Sequence, residues 1–272
     1  MRRIVALLAL ACAGCAPALM KLPSSPAAPA SDGRDAVADA TSACQRVTSM
    51  TAELAVTGSV GGQRIRGRMI VGVARPGSVR IEAAAPFGAP LFIFVARGGE
   101  ATLLLPRDDR ILEHGKPADV LEAIAGVPLD PVDLRAVLTG CAVAPDAAEA
   151  QQSGSDWRIV PDGQGRIYLH RDSASAPWRL AAAIRPPSGS ADGWRAEYRN
   201  FQDGLPHEVR LTSAMPRRFD LRVTLAQVET NMALGPEAFQ IEVPRTARPI
   251  TLDELRESGP LSPRDHPESD RR

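Results

Sequence analysis

The chain has no excess of charge of either sign. Lys and Arg number 32 and Asp and Glu 32 among 272 residues, so no net field draws it toward nucleic acid or anionic lipid. Basic clusters interleaved with aromatics, the mark of a nucleic-acid groove, are also missing, and no nucleic-acid partner is expected. Cysteines number four, with no CxxC pair and no Cys/His cluster, which leaves zinc sites and thioredoxin-like redox chemistry without support. No metal and no cofactor are expected. There is no GxSxG elbow and no HExxH, and the glycine-containing run GGQRIRGR (61–68) lacks the Lys-Ser/Thr of a phosphate-binding loop. His114, His170, His207 and His266 stand among polar neighbours without ligand spacing, and adjacent carboxylates such as Asp108 and Asp109 fall in turns. The chain therefore does not read as an enzyme. Beyond residue 17 no apolar run approaches the length of a membrane-spanning helix.

The N-terminus is where the sequence is most specific. In MRRIVALLALACAGCAP, Arg2 and Arg3 precede an apolar run from Ile4 to Ala11 that is too short to span a bilayer. The run ends in small residues followed by cysteine, Ala13-Gly14-Cys15, the layout of a bacterial lipoprotein signal. Small side chains admit the backbone to a peptidase, and the thiol takes the diacylglycerol. Cys12 competes as acceptor, and an ordinary secretory signal is the alternative. Cys15 has the better preceding pair and leaves no odd thiol behind, because Cys44 and Cys141 then remain as a pair in an oxidising compartment. They are a candidate disulfide or two buried thiols; a bond closing so long a loop stabilises a fold by roughly 4 to 5 kcal/mol.

Residues 1–14 thus read as signal, and 15–33 as a lipidated cysteine and a flexible Pro/Ala/Ser tether. Residues 34–245 form one domain, and 246–272 a charged tail expected to lack structure apart from a turn near Leu252 to Arg256. Within the domain, Val37, Ala40, Cys44 and Val47 have helical spacing. From Ala52 the period is two: Ala52, Leu54 and Val56 alternate with Glu53 and Thr57, and Ile65, Met69, Val71 and Val73 with Arg64, Arg66 and Arg68. LFIFVA (91–96) is apolar on both faces, the mark of a strand covered on both sides. Two short helices follow between Pro117 and Gly140, the second opened by Asp130 as N-cap and Pro131. Strands then resume from Trp157 to the alternating run Phe219, Leu221, Val223, Leu225. The fold class is mainly β: a strongly curved antiparallel sheet of about ten to eleven strands, a half-barrel with short helices as lid or plug. Leu91, Ile93, Val95, Leu103, Trp194, Tyr198, Leu211, Leu221 and Val223 line either a ligand cavity or a filled core, which strand alternation does not distinguish. The stripe Arg64, Arg66, Arg68 reads as a solvated outer face, or else as donors to a lid or to a ligand's polar end.

Four stretches carry a family resemblance: LAVTGSV with RGRMIVG, APFGAPLF, VLEAIAGVPLDPVDLRAVLTG, and WRAEYRNFQDGLPHEVRLTS with FDLRVTLAQVE. Over about residues 35 to 245 the chain resembles the LolA/LolB superfamily of lipoprotein-localisation factors, LolB-type most closely because of the lipobox. The resemblance implies a half-barrel under a helical lid whose apolar cavity holds acyl chains of lipoproteins or lipids. It also implies lipoprotein localisation or transfer at the periplasmic face of the outer membrane, to which Ala16 after the lipidated cysteine is suited. Partners would be the membrane, through the lipid anchor, the acylated cargo, and a periplasmic carrier protein. Phe87 matches the protruding apolar residue of LolB-like proteins that touches the membrane, unless it folds back into the core. The alternative is a structural or partner-binding envelope lipoprotein with a solidly packed β core and no cargo.

Overall fold

A computed structural model describes residues 18–24, 28–85, 87–163, 165–189 and 192–258. The signal, Cys12 and Cys15 lie outside them. After a two-residue strand β1 (Ala28–Pro29) and helix α1 (Gly33–Gln45), a first meander runs through β2 (Ser49–Val60), β3 (Gln63–Ala74), β4 (Ser78–Ala84), β5 (Phe92–Arg97), β6 (Glu100–Leu105) and β7 (Arg110–Gly115). Helices α2 (Pro117–Ala125) and α3 (Pro131–Thr139) follow. A second meander comprises β8 (Gln151–Ser153), β9 (Trp157–Asp162), β10 (Gly165–His170), β11 (Arg179–Arg185), β12 (Trp194–Gln202), β13 (Leu205–Ser213) and β14 (Phe219–Thr230). A turn at Pro236–Phe239, strand β15 (Arg248–Pro249) and helix α4 (Leu252–Glu257) end the described chain.

The meanders join where β14 pairs antiparallel with β2, giving one open sheet of order β1-β8-β9-β10-β11-β12-β13-β14-β2-β3-β4-β5-β6-β7-β15. The fifteen described strands exceed the ten or eleven expected; β1, β8 and β15 extend the edges and are too short to carry an alternation. The mainly β, curved class is as read from the sequence. At the seam Val56 faces Val223 and Leu54 faces Leu225. Gly58 opposes Leu221 there at φ 145°, and a Cβ on it would stand 2.0 Å from the Asp220 carbonyl oxygen, so only glycine allows this approach.

Alternation decides which side chains point inward. Leu54, Val56, Val71, Val73, Leu211, Phe219 and Leu221 are buried in one core on the concave side. Strand β5 is covered on both faces, inside by that core and outside by the Pro236–Phe239 turn, which buries Phe239. All three longer helices lie on the concave face. Helix α1 rests on β9, β10 and β11, α2 packs on β6, and α3 reaches both β4 and β13. Asp130 caps α3, its carboxylate accepting the Asp133 amide at 2.8 Å, and Pro131 takes the first helical position where a missing N–H costs nothing.

The C-terminal segment is described as far as Ser258 and packs against the domain. Arg248 and Ile250 donate backbone hydrogen bonds to Asp109 and Ile111 of the β7 edge. Helix α4, lying where the sequence suggested one turn, starts with a Thr251/Glu254 capping box and buries Leu255 completely in the main core beside α2. Ile250 and Leu255, with Leu252 and the backbone bonds to the β7 edge, dock an otherwise charged segment.

Cys44 at the end of α1 and Cys141 just past α3 are disulfide-bonded, with Cα atoms 5.6 Å apart and a separation of 97 positions in sequence. The bond ties the helix entering the first meander to the helix leading into the second. Cys44→Ser combined with Cys141→Ser is expected to lower unfolding free energy by about 2–5 kcal/mol, read as a fall in the urea midpoint. An unchanged midpoint would mean that the cross-link contributes nothing.

Candidate functional site

The concave face is a continuous apolar wall, and the three helices over it are held in different ways. Helix α1 is fixed by polar contacts along its length. Its N-cap Asp32 pairs with Arg158 of β9 at 2.6 and 2.8 Å, and Asp39 accepts the backbone N–H of Trp178 at 2.7 Å. Arg158 is buried, its guanidinium 4.6 Å from the Trp178 ring centre. The hydrogen bond from Arg158 holds the Asp32 carboxyl below the usual range against an opposing effect of burial.

The α2–α3 hairpin is attached mainly by apolar packing. Val120, Leu121 and Ile124 of α2 and Val137 and Leu138 of α3 are buried in the core. One ion pair reaches α2 from the sheet rim: Arg218, in the β13–β14 loop, meets Glu122 and also Asp192. Helix α3 carries polar groups that closure does not satisfy. Nε and Nη1 of Arg135 are buried without a hydrogen-bond partner among the described residues. Burial depresses that guanidinium's pKa, with Arg75 adding to the effect. Burial likewise pushes the Asp133 carboxyl up, helped by Asp130 and Asp162. Gly140 ends α3 in the left-handed region (φ 62°), and a Cβ there would stand 2.9 Å from Pro206 of β13. The hairpin therefore turns on a glycine immediately before the disulfide.

Beneath the end of α3 lies a buried polar pair. Arg185 donates to Asp162 at 2.7 Å, and the Asp162 carboxylate also accepts the amides of Val143 and Ala144. Tyr198 is buried nearby, its phenol pKa pushed up by burial, so it stays protonated.

Of the nine side chains expected on a cavity wall, Leu103, Trp194, Tyr198, Leu211 and Leu221 are buried in the concave core, with Leu91 and Val223 half-buried against it. Ile93 and Val95 stand on the other face. Pairing of Ile81 with Phe94 and of Phe94 with Leu103 sends Phe92, Phe94 and Ala96 inward. In a run apolar on both faces, alternation does not say which set turns in, so the sequence missed Phe92 and Phe94. Among five surface pockets of about 310 to 780 Å³, only one touches any of the nine, and it touches Leu91. The largest, about 780 Å³, opens where the N-termini of α2 and α3 meet the 76–78 and 97–99 turns.

At the opposite rim Phe87 projects from the β4–β5 loop and is 88% exposed, the protruding of its two anticipated placements. Arg107 braces the loop by donating to the carbonyls of Phe87 and Ala89. Met215, in the β13–β14 loop, is also exposed. The Arg64, Arg66 and Arg68 side chains lie on the exposed outer face, away from the lid.

No protein-family model matches the sequence, and no curated protein does. Solved structures are similar. A LolA superfamily protein from Nitrosomonas europaea aligns with TM-score 0.52 and 11% identity, covering 77% of this chain and 97% of that one. A DUF1329 family protein from Desulfovibrio piger aligns with TM-score 0.51 and 12% identity, covering 79% of this chain and 100% of that one. The chain has the LolA-superfamily fold, as the sequence resemblance implied.

Asp32→Ala removes the partner of a buried guanidinium and is expected to cost about 1–3 kcal/mol at neutral pH. The folded-state pKa of Asp32 is depressed, so its contribution is complete above the unfolded aspartate value of about 4 and is lost as pH falls through the folded value. Urea titrations across that acid range should show wild type and Asp32→Ala converging; a constant gap would contradict this pairing.

Proposed function

We propose that this chain is a non-enzymatic, lipid-anchored envelope protein of LolB type. Its concave face takes the acyl chains of lipoproteins or lipids when the α2–α3 hairpin swings away, for transfer at the periplasmic face of the outer membrane. The observation that carries the reading is the contrast between the two helical attachments. Helix α1 is bonded to the sheet by Asp32 and Asp39, whereas α3, tied at its end to α1 by the disulfide, makes no such bond and covers the apolar wall with two buried, unpartnered nitrogens of Arg135 and a carboxyl at Asp133 that burial disfavours in its charged form. Unpartnered groups of this kind, which the strands also hold at Arg185 and Arg195, lower the cost of opening the element that carries them. On opening, the core-facing side chains of Leu103, Trp194, Tyr198, Leu211, Leu221 and Val223, with Phe92 and Phe94, would meet the acyl chain. Leu91 lies at the rim. Acylated Cys15 would supply the anchor, and Phe87 would touch the bilayer during delivery, with a periplasmic carrier protein as donor.

A second reading is favoured by the tight packing of the same side chains beneath the helices. It is a structural or partner-binding envelope lipoprotein that carries nothing.

Native mass spectrometry of the chain from Ala16 onward, exported to a periplasm and purified without detergent, separates the two. The carrier reading predicts a co-purified lipid or acylated peptide, or one-to-one uptake of an added lipopeptide, reduced by Val223→Glu at this half-buried position with the circular dichroism spectrum retained. A clean unliganded mass with no uptake would leave the packed lipoprotein.

A further inference from the structure

Zero net charge conceals a local segregation on the outer face of the sheet. Lateral pairing brings Arg210 of β13 beside Arg222 of β14, Arg222 beside Thr57 of β2, and Thr57 beside Arg66 of β3. Arg64 and Arg68 flank Arg66 on the same face, and all three are exposed. Among the described residues none of the three is in an ion pair. The outward carboxylates of these four strands are Asp220, Glu208, Glu53 and, at the far end of β14, Glu229. Asp220 is taken by Arg210 in a two-pronged contact at 3.0 and 2.7 Å, and Glu208 stands 3.4 Å from Arg222. Arg64, Arg210 and Arg222, with Thr57, Gly58, Ser59 and the Arg210-paired carboxylate of Asp220, line a pocket of about 310 Å³. Guanidinium forks beside hydroxyl donors form the donor set that a phosphate monoanion or diester requires.

A second observation says what approaches this face. The tether does not hang free along its length. Met20 donates its N–H to Glu197 of β12 at 2.9 Å, Arg195 donates to the Met20 carbonyl, and Leu22 packs with Ile159, Tyr168 and Ala182. This contact leaves Glu197 only 1% exposed, and Glu197 is the lateral neighbour of Arg210. From Met20 back to Cys15 the chain reaches at most about 18 Å. The arginine pocket begins one strand from Glu197 and lies within roughly 10–15 Å of it at the usual strand spacing. With Cys15 acylated, a bilayer would lie within reach of the arginine-bearing face. At the rim of that face, Arg66 and Arg68 share a pocket with Ala84, Ala85 and Leu91 of the stretch leading into and out of the Phe87 loop.

We propose that the outer face of β13, β14, β2 and β3 docks on anionic phospholipid, with a headgroup phosphate seated between Arg64 and Arg222, and that the docked segment at Met20–Pro23 fixes the domain in this orientation. The proximity of the bilayer rests on the lipid-anchor reading of Cys15, but the arginine face is independent of whether the concave side holds cargo. The test therefore omits the acyl chain. The chain from Ala16 onward, whose fold is built from residues 18–258, is floated with vesicles of phosphatidylcholine alone and of phosphatidylcholine mixed with phosphatidylglycerol. Wild type is expected on the anionic vesicles only, and to be released by salt. Arg64→Ser, Arg66→Ser and Arg222→Ser together should cut the partition at least about tenfold, at several-fold per arginine. The matching triple Lys variant should recover most of it, which a purely structural role would not give. Equal flotation of the triple Ser variant and wild type would overturn the proposal. Should the Ser variant not fold, wild-type binding that is equal on neutral vesicles or indifferent to salt would overturn it as well.

Discussion

Strand β14 comes from the far end of the chain to pair with β2 from Phe219 opposite Val60 to Thr230 opposite Met50, across one register shift between Ala226 and Glu229. Everything else in the molecule is arranged around that seam. Without it the two meanders would be separate sheets, each with a bare edge and half an apolar face. With it, the inward side chains of Leu54, Val56, Leu221 and Leu225 join the cores of both halves into a single wall. The same pairing sets Arg222 and Thr57 side by side on the outside. One register thus fixes both the apolar concavity and the basic convexity.

The wall must be covered, and what covers it is heterogeneous. Helix α1 satisfies its polar groups through Asp32 and Asp39, whereas α3 buries two nitrogens of Arg135 unpartnered and holds the Asp133 carboxyl where burial raises its pKa. The surface pair of Arg218 with Glu122 adds little in solvent. Between that ion pair and the disulfide that follows α3, apolar packing therefore holds the hairpin, assisted by Leu255 of α4 from beside α2. On the proposed reading such an element opens at a lower local free energy than the sheet beneath it.

Much of this was legible in the sequence, and the parts that were not share a physical cause. Period-two alternation placed Leu54, Val56, Met69, Val71, Leu211 and Leu221 on the inner face because their strands face water on the other side. The same rule failed at β5, where Ile93 and Val95 turn outward beneath the Pro236–Phe239 turn; a strand covered twice has no polar face to set its parity. Asp130-Pro131 announced α3 because capping is local chemistry. Docking of Leu22 and of Ile250 and Leu255 is not local: single apolar residues in polar segments find their partners only in the folded sheet. The buried state of Glu197 was invisible for the same reason, since Met20 of the tether meets it, beside Arg195 and Arg199, only in the folded sheet. Whether the concavity opens is a difference in free energy between two packings, which alternation does not encode.

That difference is measurable directly by native-state hydrogen exchange. The account predicts that amides of α2 and α3 exchange through a local opening, well below the free energy at which β2 and β14 exchange, with α1 following the sheet. It further predicts that added lipopeptide changes protection in 117–139 and leaves the seam strands unaltered. Exchange of α2 and α3 only through global unfolding, together with the seam, would contradict it and identify the helices as permanent core.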